Sequence, residues 1–215
     1  MPLVYQQNIN ETTKLGVWHI TESEAFFLQQ VNVQREITHP HKRLQHLAGR
    51  YLLRELYPDF PYELIRVADT KKPFLENEAY HFSISHCGPY AAVIVSRDHR
   101  VGADVELTTA KVEKVKYKFL SPIEQDLVAQ VLPLDSALQP AHLLTAAWSI
   151  KESLFKWYGN GEVNFKDHLH IEKILFKDDE GIAYCKFLKD ADTPLQVHFL
   201  FFNNNCIAWV LSNVS

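Results

Sequence analysis

"HFSISHCGPYAAVIVS", residues 81–96, reads as a strand, a polar turn and a second strand. Phe82, Ile84 and the run Ala91–Val95 suit extended backbone, and Gly88-Pro89 between them interrupts the ladder and favours a reversal. A second stretch, "HFLFFNNNCIAWVLS" at 198–212, repeats the scheme with three asparagines in the turn. One such hairpin in each half points to a duplicated α/β unit. Hairpins also recur by chance, so one echo is weaker evidence than a run of repeats at fixed period.

Composition limits what such a fold can serve. A chain of 215 residues with 47% hydrophobic content can bury a full core, as one large domain or two small ones. Its 22 Lys and Arg against 26 Asp and Glu leave a formal charge of -4, so bulk attraction to nucleic acid or to an anionic membrane is not expected. A polyanionic ligand would have to be held locally. "MPLVYQQNIN" lacks the basic start and apolar core of a signal peptide, and no apolar run approaches bilayer length, so a cytoplasmic location is expected. Cys87, Cys185 and Cys206 are odd in number and far apart, which suits buried free thiols rather than disulfides or a zinc site.

Helical periodicity fills the intervals between strands. In "HKRLQHLAGRYLLREL" (41–56) Leu44, Leu47, Ala48, Tyr51 and Leu52 form an apolar stripe, with Arg43, Arg50 and Arg54 off it, either as a solvated face or as ligands to an anion. "SPIEQDLVAQVL" (121–132) opens with Ser121 as cap, Pro122 in the first helical position and Glu124 placed to close a capping box. In "TAAWSIKESLFKWYGNG" (145–161) Ala147, Ile150, Leu154 and Trp157 face a core, and Gly159 and Gly161 mark the end. Trp148, Glu152 and Lys156 follow at steps of four and share another side of that helix; alone they read as an ordinary surface pair with an aromatic neighbour.

The stretch "VGADVE" (101–106) changes that reading. Side chains alternate along a strand, so Asp104 and Glu106 project together while Val105 points away. With Glu152 they supply three hard oxygen ligands, a set suited to Mg²⁺, which completes its octahedron with water and phosphate oxygens. "FSISHCG" (82–88) adds Ser83 and Ser85 on one strand face with His86 at the turn, and "TKKPFL" (70–75) adds Lys71 and Lys72. Such donors near a carboxylate-held cation suit a diphosphate, although a lone histidine beside a strand is equally a satisfied structural residue.

Taken in order, "KKP", "FSISHCG", "VGADVE" and "WSIKESLFK" resemble the 4′-phosphopantetheinyl transferases, in the surfactin-type branch with two fused α/β halves rather than the shorter trimeric holo-acyl-carrier-protein synthases. The resemblance runs from about Arg43 to Gly161. It implies an α+β, pseudo-dimeric fold of two similar subdomains, 1–102 and 103–215, each with a small antiparallel sheet packed on helices, and an active site between the halves. It implies Asp104, Glu106 and Glu152 as ligands of Mg²⁺ or Mn²⁺, Glu152 also as general base, and Lys156 on the diphosphate, assisting departure of the leaving group. Lys72, Ser85 and His86 match positions that contact the phosphates of coenzyme A. Where the family often places an arginine for the nucleotide 3′-phosphate this chain has Gln45, leaving Arg43 or Arg50 to take that role from a neighbouring turn. Ala103 replaces a branched aliphatic and points away from the carboxylates, so only packing should change.

The expected function is that of a Mg²⁺-dependent enzyme of holo-acyl-carrier-protein synthase type. It would move the 4′-phosphopantetheine arm of coenzyme A to a serine of an apo acyl or peptidyl carrier protein and release adenosine 3′,5′-bisphosphate, working as a monomer with no nucleic-acid or membrane partner. Residues 107–120, "LTTAKVEKVKYKFL", are the expected docking segment for an acidic carrier, with Lys111, Lys114, Lys116 and Lys118 as rim and Phe119 and Leu120 as apolar anchors; a plain solvated segment fits the same residues. Two other classes use the same features: a Mg²⁺-dependent phosphohydrolase with water as nucleophile, and a non-catalytic carrier-binding relative. An intact set of three carboxylates with Lys156 speaks against the latter, since clustered like charges are costly without a use.

Overall fold

The computed structural model describes residues 2–31, 37–131 and 138–214, so Leu132 at the end of the capped segment lies outside the described residues. The chain divides into two compact units, Met1–Val101 with Asn213–Ser215, and Gly102–Ser212. The first holds strands β1 (Leu3–Asn8) and β2 (Thr13–His19), helices α1 (Glu24–Leu28) and α2 (Pro40–Leu56), a two-stranded ribbon of β3 (Arg66–Val67) and β4 (Pro73–Phe74), then β5 (His81–Cys87) and β6 (Tyr90–Ser96). Its antiparallel sheet has the order β1-β2-β6-β5. The Gly-Pro hairpin forms as β5–β6, with Ser85 opposite Ala92 and Gly88 at φ +53° in the turn. The α2 stripe buries Leu47, Ala48 and Leu52 against Phe82, Val93 and Val95.

The second unit receives β7 (His99–Leu107) from Gly102 onward, followed by α3 (Pro122–Val131), α4 (Pro140–Tyr158) and strands β8 (Leu169–Lys177), β9 (Glu180–Phe187), β10 (Thr193–Phe202) and β11 (Asn205–Asn213). Strands β8 to β11 form an antiparallel meander, and β7 joins the β11 edge. The asparagine hairpin forms as β10–β11, with Asn203 and Asn204 both at positive φ, which asparagine tolerates better than most residues. Ala147, Ile150, Leu154 and Trp157 of α4 are all buried in the core against Leu169, Phe187 and Val197. Gly159 ends the helix at φ 78°, a left-handed cap that costs glycine nothing. The fold is α+β, with antiparallel sheets packed on helices. Cys185 and Cys206 are buried thiols and Cys87 is half-buried, and none of the three forms a disulfide among the described residues.

Candidate active site

In the second unit, β7 and α4 meet more closely than a strand and a helix ordinarily can. A Cβ added at Gly102 would lie 2.1 Å from the Ser153 carbonyl oxygen and 2.6 Å from the Trp157 nitrogen, so only glycine lets the strand rest on helix backbone. Gly102, Asp104 and Glu106 share one side of the strand by alternation. The contact made by the glycine therefore aims both carboxylates at the helix. Trp148, Glu152 and Lys156 answer from α4, spread over about 12 Å at 1.5 Å per residue. Lys156 Nζ donates to Asp104 Oδ1 at 2.6 Å, Trp148 Nε1 donates to Glu106 Oε1 at a long 3.4 Å, and Glu152 lies on the helix turn between them.

This placement dictates the electrostatics. Asp104 is only 2% exposed, and Lys156, a quarter exposed, gives it a cation at contact distance. Burial first, then the charge of Asp104, pushes the Glu152 carboxyl up to about 7, with Lys156 pulling it down and Glu106 adding to the rise. One lysine does not offset three carboxylates in one field. The donor set, all hard oxygens with an excess of negative charge, fits a divalent cation of the Mg²⁺ type. The oxygens are not closed into a ready ligand set, since among the described residues no three His, Cys, Asp or Glu groups stand in metal-holding geometry. Lys156 engages Asp104 through Oδ1 only.

A cavity of about 930 Å³ opens beside Glu152, walled by Phe119, Trp148, Phe155, Val163 and Phe165, with Lys118 among its lining residues. Phe165 stacks on Trp148 with ring centroids 5.5 Å apart, and Phe119 meets the same indole edge-on at 5.0 Å. Nothing in the motif spacing announces this cavity, because Phe155 and Phe165 come from separate segments joined only by folding.

The remaining expected residues lie in the first unit. Lys72 is half-buried, and burial followed by the charge of Arg100 lowers its ammonium to about 8. His81 is lowered mainly by burial, with Lys72 and Arg100 adding to the shift and Glu78 opposing it. Lys72 and Arg100 thus make a cationic pair that an anion would stabilise, with His81 beside them held towards its neutral form. Ser83 and Ser85 are buried on one face of β5, and His86 is exposed at its end. Arg43 is held otherwise: its guanidinium grips Glu24 through two bonds of 2.8 and 2.9 Å and also donates to the Ile37 carbonyl. Gln45 donates to the Gly88 carbonyl, and Arg50 is 5% exposed, so α2 does not carry a uniformly solvated basic face.

The docking expectation needs a correction. Phe119 and Leu120 are 2% and 1% exposed and belong to the core. Two 3₁₀ turns, Ala110–Lys114 and Lys116–Lys118, fold the segment back, with the Leu120 amide donating to the Lys116 carbonyl. The exposed apolar side chains there are Leu107, Val115, Tyr117 and, on the first turn of α3, Ile123. Glu124 also exceeds its expected role. It closes the capping box with Ser121, and its carboxylate additionally accepts from the Ile171 amide and from the fully buried Lys151.

The comparison with known sequences agrees with this architecture. The sequence model of the 4′-phosphopantetheinyl transferase superfamily matches residues 100–210, more than half of the chain and all of the strand–helix contact just described. The chain belongs to that superfamily. It is 33% identical over 122 residues to enterobactin synthase component D from Escherichia coli O157:H7, from Shigella flexneri and from Escherichia coli K12. The match covers 54% of this chain and 54% of each relative, about half the length of the curated relatives. Among the described residues no helix is long and apolar enough to cross a membrane.

Proposed function

We propose that this chain is a surfactin-type transferase that moves 4′-phosphopantetheine from coenzyme A to a serine of an apo acyl or peptidyl carrier protein, releasing adenosine 3′,5′-bisphosphate. The observation that carries the reading is Glu152, a carboxylate poised near neutrality between Asp104 and Glu106, one helical turn from Lys156. Asp104, Glu106 and Glu152 would hold Mg²⁺ or Mn²⁺, whose chemistry is to neutralise the diphosphate. Glu152 takes the proton of the serine hydroxyl as general base. The serine oxygen forms its bond to the phosphorus that carries the pantetheine arm, and the bond to the second phosphate breaks. Lys156 leaves Asp104 to meet the negative charge on the departing group. Lys72, Ser85 and His86 hold coenzyme A phosphates, and the depressed Lys72 recovers its charge against an anion. Arg43, already engaged by Glu24, is the weakest member of the expected set.

Mass spectrometry of an apo carrier incubated with the protein, coenzyme A and Mg²⁺ tests the reading. One phosphopantetheinyl group should appear on a single serine, with adenosine 3′,5′-bisphosphate released one for one. Release of the nucleotide with no adduct would replace the transferase by a phosphohydrolase, and no turnover would leave a binding relative.

A further inference from the structure

Lys151, next in sequence to Glu152, is 0% exposed, and its ammonium is held by two groups: Glu124 Oε1 at 2.7 Å and the Phe165 carbonyl at 2.8 Å. Glu124 in turn takes the Ile171 amide on one oxygen at 2.9 Å and the Ser121 amide on the other at 2.8 Å. Four segments therefore converge on one buried ion pair: the α3 cap, the middle of α4, the turn at Phe165 and the start of β8. Two well-packed apolar residues could often fill such a place at no loss of stability, so stability alone does not account for a buried pair. Its position suggests what it does. The Phe165 backbone that Lys151 holds carries the ring stacked on Trp148, and Trp148 is the residue that donates to Glu106.

We propose that Lys151 and Glu124 are positioning residues for the transfer site: the buried pair fixes the turn at Phe165, the Phe165 ring fixes the Trp148 indole, and the indole fixes the Glu106 carboxylate. The proposal rests on the transferase reading for its effect on catalysis, while the mechanical chain from Lys151 to Glu106 stands apart from it. The turn has its own order, since the Lys166 and Asp167 amides donate to Asn164 Oδ1 and the His168 amide donates to the Asn164 carbonyl. Lys151 ties the backbone of that ordered turn to α4, beside the contacts that the Phe165 ring makes with Trp148 and Phe155.

The test uses Lys151→Met with Glu124→Gln, which removes both charges at nearly constant volume and leaves no charge buried alone, at the cost of one of the two amide bonds that Glu124 accepts. A second variant, Phe165→Leu, keeps the ion pair and removes only the ring stack. In the double variant, amides 166–168 should exchange faster than in the parent. In both variants the Mg²⁺ concentration for half-maximal binding by calorimetry should rise roughly tenfold to a hundredfold, as when a group that orients a metal-binding side chain is lost. At saturating Mg²⁺, transfer should lose kcat with KM for coenzyme A unchanged, since the side chains proposed to hold its phosphates in the first unit are not touched. Parent-like Mg²⁺ binding in Phe165→Leu, or parent-like exchange in a folded double variant, overturns the proposal. Exchange is read without substrate, so it judges the positioning chain even where the parent transfers nothing, an outcome that would overturn the transferase reading alone.

Discussion

At the scale of single residues, burial and the charge of Asp104 set Glu152 apart from an ordinary surface carboxylate. Glu152 titrates near 7 in the folded chain and near 4.5 when exposed, so the folded protein binds the extra proton between those values. Stability of the metal-free protein should therefore be greatest below pH 4.5 as far as this group is concerned, and should fall as pH rises towards 7, by up to roughly 3 kcal/mol. Glu152→Gln should flatten that slope and stabilise the metal-free protein at pH 8; urea denaturation of parent and variant across pH 4–8 in chelator checks it, and parallel curves refute it. The two roles of Glu152 separate by rescue. Asp104→Asn removes one charge from a cation site, and raised Mg²⁺ should recover most of its single-turnover transfer rate. Glu152→Gln should stay slow at saturating Mg²⁺, by roughly 10²–10⁴-fold, because no cation replaces a proton acceptor. Equal recovery of both variants would remove Glu152 as base.

At the scale of elements, the contact between β7 and α4 does what no single side chain can. Gly102→Ala must push the Ser153 carbonyl and the Trp157 backbone away, and overpacking of that kind costs typically about 1–3 kcal/mol. It should also separate Asp104 from Lys156, so transfer should fall by more than the lost stability explains at a temperature where the variant remains folded. Unfolding by denaturant and transfer rate, measured together, check this; a destabilised but fully active variant would mean that the close approach serves packing only. Both elements were legible in the sequence, since period 2 set Asp104 and Glu106 on one side and period 3.6 set Trp148, Glu152 and Lys156 on another. The role of Gly102 was not legible, because a clash with a helix fifty residues later is invisible to local patterning. Lys151 was hidden for the same reason: among alternating polar and apolar residues it reads as solvent-facing until Glu124, Ile171 and Phe165 are brought around it.

At the scale of the whole chain, charge is uneven. The formal total is -4, yet Lys111, Lys114 and Lys118 are exposed within one short segment, and Lys116 is half-buried among them. A lysine-rich stretch reads as exposed throughout, and that reading put Phe119 and Leu120 on the surface. The 3₁₀ turns instead send those two inward and leave Tyr117 at 60% and Ile123 at 81% exposure. On the proposed transferase reading, apolar groups so open beside a basic rim would suit an acidic carrier surface, the lysines setting the encounter rate and the apolar pair the lifetime of the complex. Lys111→Glu with Lys114→Glu should then raise KM for the carrier chiefly at low ionic strength, while Tyr117→Ala should raise it at every salt concentration, by roughly tenfold for an anchor worth ~1.4 kcal/mol. KM for coenzyme A should stay constant in both. The measurement is transfer rate against carrier concentration at two ionic strengths. If charge reversal leaves KM for the carrier unchanged at low salt, the carrier docks elsewhere and the lysines are solvated; if Tyr117→Ala alone is silent, the contact is electrostatic without an apolar anchor at that position.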